Sequence, residues 1–233
     1  SSIAQQIALG HFFYNVLISL VFIGFLKPYA ALIEKITPGK DKTLPLWPEY
    51  LDEKCLARAG DALSCVKKEL SREIMLSQRM FNGSLSLIPQ FSKAGKSDIM
   101  YIELVVDNLQ LEITKYLWNI SCGQLSPELT KKLFAFSAIV YDIERIGDLS
   151  TNLVELSESK HKRKAIFSEA AKVELHYIGE LVSKNLEDTA AIIEQKDALR
   201  IRNIIVRDIE VTLKIKEAIA QHLERFYSKV CRA

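Results

Sequence analysis

The first 26 residues contain no Asp, Glu, Lys or Arg, and this feature limits most strongly what the chain can fold into. From Phe12 to Leu26 the run is almost entirely apolar. A bilayer core is spanned by about 20 apolar helical residues, and roughly 17 can suffice. We therefore expect a transmembrane helix within residues 1–36, with a buried core helix as the alternative. A signal peptide is not expected, since no Lys or Arg precedes the run.

The polar side chains inside this stretch include Ser19 and the four residues Gln5, Gln6, His11 and Asn15. Polar residues at membrane depth usually face another helix or a transport pathway. We expect these four to pack against neighbouring helices, and they are only weak candidates for a substrate pathway, because one span cannot enclose an alternating-access route. Lysines follow the run from Lys27 onward, and the positive-inside rule then places the downstream chain in the cytoplasm.

The rest of the chain is expected to be all-α, because apolar residues recur at helical spacing and no alternating strand pattern occurs. We predict a linker at 37–50, a three-helix unit at 51–159, a basic hinge at 160–166 and a second unit at 167–233. Long helices joined by short loops imply antiparallel neighbours.

Within the first unit we expect helices over residues 52–88, over a segment capped by Ser97 or Asp98 and ending at 121, and from Ser126 onward. The second unit has only two helices, about 167–193 and 197–227, and so looks like an incomplete repeat of the first. Their apolar stripes lack a third partner. They should pack on each other, on the first unit or on another subunit.

Charge and cysteine content exclude several classes of function. The net charge is +2, so the chain has no overall bias toward nucleic acid. Its four cysteines are scattered without C-x-x-C spacing, which indicates reduced thiols in a cytosolic setting and neither a disulfide framework nor a zinc site. The four histidines do not form E-x-x-H pairs on facing helices, and no nucleophile elbow or phosphate-binding glycine loop occurs, so we predict no catalysis.

Two pairs of acidic residues stand out at helical spacing. Glu144 and Asp148 lie one turn apart and share a helix face, and Glu103 and Asp107 repeat that spacing. Inward-facing carboxylates would need a cation, since an unpaired buried carboxylate is very costly. A solvated helix face is the alternative. Spacing alone favours it for Glu144 and Asp148, and it is also the favoured interpretation for Glu103 and Asp107. Gly147 in mid-helix suggests that another helix or an ion comes close there.

Several segments resemble known proteins. The segment 143–148, Ile-Glu-Arg-Ile-Gly-Asp, resembles the signature of the PhoU family of phosphate regulators. Segments 109–117, 50–53 and 222–226 are similar to the PhoU-like domain at the C-terminus of bacterial sodium/phosphate cotransporter proteins. Segment 7–15 resembles the last transmembrane segment of that transporter domain, although the glutamine-serine-rich motifs that bind sodium and phosphate are absent from this chain.

This resemblance implies PhoU-like antiparallel bundles and a divalent or iron-type metal ion at Glu144 and Asp148, with Glu103 and Asp107 as weaker ligands. It implies that the chain is the C-terminal part of a sodium-dependent phosphate transporter, or a fragment, in the bacterial inner membrane. Implied partners are the remaining transporter domain or another membrane protein, phosphate, sodium, membrane lipid and further copies of the chain. The alternative is a membrane-anchored adaptor that regulates phosphate uptake or signalling by helix packing and does not transport.

Overall fold

The computed structural model describes residues 3–36 and 44–228, which form six α-helices without any strand. The helices are α1 (Ile3–Ile36), α2 (Ala59–Leu87), α3 (Lys93–Ser121), α4 (Pro127–Lys162), α5 (Glu169–Glu194) and α6 (Ala198–Tyr227), and a 3₁₀ turn occupies Glu53–Ala57. The all-α prediction, with an apolar N-terminal helix ahead of a helical domain, is therefore confirmed. The chain divides into two compact units, Ser1–Thr43 and Leu44–Ala233.

Helix α1 makes up the described part of the first unit. Its window Gln5–Ala30 is 26 residues long, has a mean hydropathy of 1.9 and is 0% buried. By length and composition it is the one helix in the described chain that could cross a membrane. The buried-core alternative does not hold, because large apolar side chains such as Phe12 and Leu17 are more than half exposed. Gln5, Gln6, His11 and Asn15 are exposed on this helix as well.

Helix α2 is the centre of the second unit. It packs against α3, α4 and α5, and it buries side chains around most of its circumference. Helices α3 and α4 also pack on each other, while α6 packs against α5. The core consists largely of the apolar stripes of α2 and α3, among them Leu70, Ile74, Leu109 and Ile113.

Local capping sets helix starts that differ from two of the predicted ones. Helix α3 begins at Lys93, before the expected cap at Ser97 or Asp98, because the Ser92 hydroxyl accepts a hydrogen bond from the Gly95 amide. Helix α2 begins at Ala59, after the expected start near residue 52, because Arg58 has an extended backbone. The predicted start at Ser126 is confirmed, since its side chain accepts from the Leu129 amide.

The basic run after α4 lies partly inside that helix. Lys160, His161 and Lys162 form its last turn, where cations complement the negative end of the helix dipole. The connector to α5 therefore covers residues 163–168, somewhat later than the predicted hinge at 160–166. Lys164 adopts φ 54° within it, and Ser168 caps α5.

The described end of the predicted linker is anchored to α2; residues 37–43 lie outside the described residues. Buried Glu69 accepts hydrogen bonds from the amides of Glu49 (2.9 Å) and Tyr50 (2.7 Å). Arg72 donates to Glu69 at 2.7 Å and to the carbonyl of Pro45 at 2.6 Å. These bonds satisfy a buried charge pair and hold segment 45–50 on the helix surface.

Candidate functional site

The four carboxylates singled out in the sequence come together between α3 and α4. Glu103 and Asp107 lie on α3, and Glu144 and Asp148 lie on α4. Glu103 and Glu144 are half-buried, whereas Asp107 and Asp148 are exposed at the rim. The two pairs therefore form one acidic group across the interface of two packed helices, rather than two separate solvated faces.

The pKa values of Glu103, Asp107 and Glu144 reflect how close the four carboxylates lie to one another. Burial, followed by the neighbouring charges of Asp107, Asp148 and Glu144, raises the pKa of Glu103 to about 7. Burial and then Asp148 raise the pKa of Asp107, and burial followed by Asp148 and Asp107 raises the pKa of Glu144. Like charges held together in this way favour a bound proton or a bound cation.

A fifth carboxylate, Glu73 of α2, was not expected from the sequence. Its side chain is 0% exposed, and neither carboxylate oxygen has a hydrogen-bond partner. Burial raises its pKa to about 9, with smaller contributions from the charges of Glu69 and Glu144. In the sequence, only the one-turn spacing of Glu69 and Glu73 on α2, with Arg72 between them, marks this residue. The helical periodicity, which was read from the apolar residues, does not single it out.

Gly147 explains how α4 comes so close to this group. A Cβ atom at Gly147 would lie 3.1 Å from Oε2 of Glu103 and 3.7 Å from side-chain atoms of Met80 and Val106. The mid-helix glycine therefore marks a close approach of α3 and α2 to α4, as the sequence suggested. Glu103 Oε2 is also buried without a partner.

The group has the donor chemistry of a site for a hard cation, which takes carboxylate oxygens. The partnerless oxygens of Glu73 and Glu103 are consistent with such an ion, because they have acceptor capacity that no protein group uses. In their present rotamers, however, no three His, Cys, Asp or Glu side chains among the described residues are arranged to hold a metal ion.

The weak pathway candidates Gln5, Gln6, His11 and Asn15 belong to α1, in the other compact unit, and are not part of this acidic group. Of the cysteines, Cys55, Cys65 and Cys122 are free thiols, and Cys231 lies outside the described residues. Cys55 and Cys65 are neighbours, with their Sγ atoms 3.2 Å apart.

Comparison with known proteins gives one match. No curated protein and no solved structure is significantly similar to the chain. Residues 54–157, however, match the family model of the PhoU domain. The matched range runs from the 3₁₀ turn through most of α4 and contains all five carboxylates described above. The chain thus carries a PhoU domain over residues 54–157, behind an apolar N-terminal helix of membrane-spanning length.

Proposed function

We propose that the chain is a membrane-anchored regulator of phosphate uptake, forming the C-terminal portion of a sodium-dependent phosphate transporter in the bacterial inner membrane. The observation that carries the proposal is the PhoU match, whose range contains the acidic group between α3 and α4. Helix α1 supports the membrane part, because its exposed apolar side chains need lipid or protein cover. The PhoU domain would then lie in the cytoplasm, on the side of the lysines that follow α1.

The regulatory site in this proposal is the acidic group. Glu144 and Asp148 would hold a divalent or iron-type cation, with Glu103 and Asp107 completing its oxygen ligands. The cation would supply the positive charge that these coupled carboxylates lack, and would tie α3 to α4. The charge of the cation would also affect the pKa of buried Glu73, because Glu144 contributes to that pKa. No catalytic step is part of the proposal.

Metal analysis of the purified full chain in mild detergent tests this site. We expect bound metal, and a melting temperature that falls after chelation, because an ion bound only to the folded form adds its binding energy to stability. Paired Glu144→Gln and Asp148→Asn changes should remove both effects. Asp142→Asn is the matched control, since Asp142 is an exposed carboxylate on a different face of the same helix. Absence of metal, together with identical melting of all variants, would contradict the metal role.

Phosphate uptake by intact bacteria tests the regulatory role. Cells making the wild-type chain should take up phosphate at a rate different from that of cells without it, and the difference should disappear in the Glu144→Gln, Asp148→Asn variant. Asp142→Asn should behave as wild type. Equal uptake in all strains, with the protein present in the membrane, would refute the proposal.

The transporter form and the adaptor form differ in what precedes α1 in the gene. If the transporter form is right, the reading frame upstream of Ser1 encodes further membrane spans with glutamine-serine-rich motifs. Purified chain alone in liposomes should not carry phosphate in either form, because a single span cannot build an alternating-access pathway. An upstream frame without such spans would leave the adaptor form, in which α1 serves only as an anchor.

A further inference from the structure

Helix α6 exposes its most apolar face. Seven large apolar residues recur along it, three, four or six residues apart, and are each 40% to 57% exposed. This apolar stripe consists of Ile201, Ile205, Ile209, Ile215, Ile219, Leu223 and Phe226. By the helix rise it is ~38 Å long, and at a width of about 10 Å it covers roughly 400 Å², a patch size that is often functional on a soluble surface.

The contact of α6 with α5 leaves every residue of the stripe at least 40% exposed. It includes polar bonds: Arg207 donates to Asn185 at 2.7 Å and to Asp188 at 3.0 Å, and Arg225 donates to Glu174 at 2.6 and 2.8 Å. Arg207 and Arg225 are on the side of α6 that faces α5. At about 100° per residue the stripe is centred about 140° around the helix from them, and Ile215 at its edge is about 80° away. Its apolar side chains are therefore available to another molecule.

The stripe is symmetric about its midpoint. Thr212 is exposed at the centre, and Ile205 and Ile219 each lie seven residues from it. Ile201 and Leu223 are each eleven residues away from Thr212. Ile209 and Ile215 are each three residues away, so every large residue from Ile201 to Leu223 has an apolar counterpart at the same distance on the other side. An isologous contact needs this self-complementarity, because residue i must meet residue j while j meets i.

We propose that α6 pairs with α6 of a second copy of this chain, antiparallel, with the two-fold axis at Thr212. The apolar residues of one copy then lie opposite their symmetric counterparts in the other. The two Thr212 residues face each other on the axis. This interface belongs to the segment after the PhoU match and does not depend on the phosphate proposal.

Charge selects the antiparallel direction. Asp208 and Lys216 are exposed beside the stripe, four residues either side of Thr212, and neither makes a salt bridge within the described part of the chain. In the antiparallel pair Asp208 of each copy lies opposite Lys216 of the other, giving two ion pairs. A parallel pair would instead place Asp208 against Asp208 and Lys216 against Lys216, which is unfavourable.

Cysteine cross-linking of the full chain in mild detergent tests the geometry. In a background with the four native cysteines changed to Ser, Thr212→Cys should form a disulfide-linked dimer in good yield. Glu217→Cys, which is exposed on the same helix but off the stripe, is the matched control and should not. Ile205→Cys and Ile219→Cys should cross-link when the two variants are mixed, but neither should cross-link alone. Cross-linking of each alone, without the mixed product, would indicate a parallel pair and overturn the proposal.

Charge reversal tests the ion pairs independently. Asp208→Lys should weaken the dimer by about tenfold or more, since it places two like-charge pairs in the interface. Lys216→Asp should do the same, and the double variant should restore wild-type association as measured by sedimentation. Helical circular dichroism shows that each variant is folded. A chain that stays monomeric at about 100 μM, or whose stripe binds lipid vesicles as a monomer, would refute a second copy as the occupant.

Discussion

At the scale of single residues, the unusual feature is a carboxylic acid in the core. Glu73 is fully buried on α2, and neither of its carboxylate oxygens has a hydrogen-bond partner. A charged carboxylate in that position would be costly, so the residue holds its proton well above the usual range. Its side chain is therefore protonated and neutral at neutral pH unless a cation replaces the proton.

This predicts how stability depends on pH. The folded-state pKa of Glu73, about 9, lies above the ordinary value of 4.5, so its contribution is fully present below pH 4.5 and is lost as pH rises through about 9. Glu73→Gln mimics the protonated form, and its melting temperature should rise relative to wild type as the pH increases. Thermal unfolding between about pH 5 and 9 measures this. Glu155→Gln, at an exposed site on α4, should change nothing, and parallel curves for wild type and Glu73→Gln would show that Glu73 ionises normally.

Cys55 and Cys65 give a second residue-scale prediction. Their Sγ atoms are 3.2 Å apart, and a hydrogen bond with Cys65, followed by burial, raises the pKa of Cys55, which keeps its thiol protonated. Diamide should oxidise the pair to an intramolecular disulfide, with the loss of two hydrogen atoms detected by mass spectrometry of the linked peptides. Cys65→Ser should abolish the link and Cys122→Ser should leave it intact. A link that involves Cys122 instead would contradict the geometry.

At the scale of elements, α4 packs against its neighbours through its own small residues. Helical periodicity places Leu149 and Leu156 in the apolar stripe of α4 with Val140 and Ile143, yet these two leucines are 56% and 65% exposed. The buried side of this part of α4 carries Gly147, Ser150, Val154 and Ser157. Small side chains let the helix backbones approach closely. The hydroxyls of Ser150 and Ser157 donate to carbonyls one turn back in the same helix, so both buried hydroxyls are hydrogen-bonded.

Enlarging Gly147 should therefore force α4 away from its neighbours. We expect Gly147→Leu to lower the free energy of unfolding by about 1–3 kcal/mol, because overpacking outweighs the gain in helix propensity. Gly60→Leu is the control, since a Cβ at Gly60 would meet nothing within 4 Å. Urea unfolding compares the two. Equal stability of both variants would mean that α3 and α4 are not in close contact at Gly147.

At the scale of the whole molecule, the two compact units have surfaces suited to different solvents. The second unit has a water-soluble type of core with charged outer faces, whereas α1 presents apolar side chains on all sides. A helix that is apolar all round requires an apolar environment, because water contact with that much apolar surface is unfavourable. Membrane attachment is the simplest way to satisfy both parts.

Charges placed in the middle of α1 should disrupt that attachment. Leu17→Lys together with Leu20→Lys adds about 6 kcal/mol to the cost of insertion. Most of the protein should then leave the membrane fraction on alkaline carbonate extraction. Leu32→Lys with Ile33→Lys, beyond the window Gln5–Ala30, should remain membrane-bound, since lysines near a helix end can reach the interface. Wild-type protein that is itself released by carbonate would argue against a spanning helix.

The sequence by itself determined the features that depend on neighbours along the chain. These are the helix count in the described residues, the helix starts at Ser126 and near residue 197, the membrane-like α1, and the E-x-x-x-D spacings, because each depends on local sequence. The boundary at Ser92 was missed because several polar residues nearby can cap, and only the fold decides which one does.

Tertiary structure alone decided which helix faces contact each other. Nothing local distinguishes Glu73, which is buried, from the exposed acids of the same helices, or indicates that Glu103 and Asp107 lie beside Glu144 and Asp148. Nor does periodicity reveal that Gly147, Ser150 and Ser157 face the core while Leu149 faces out. These outcomes depend on how closely helices distant in sequence approach each other, and that distance is set by packing of the whole unit.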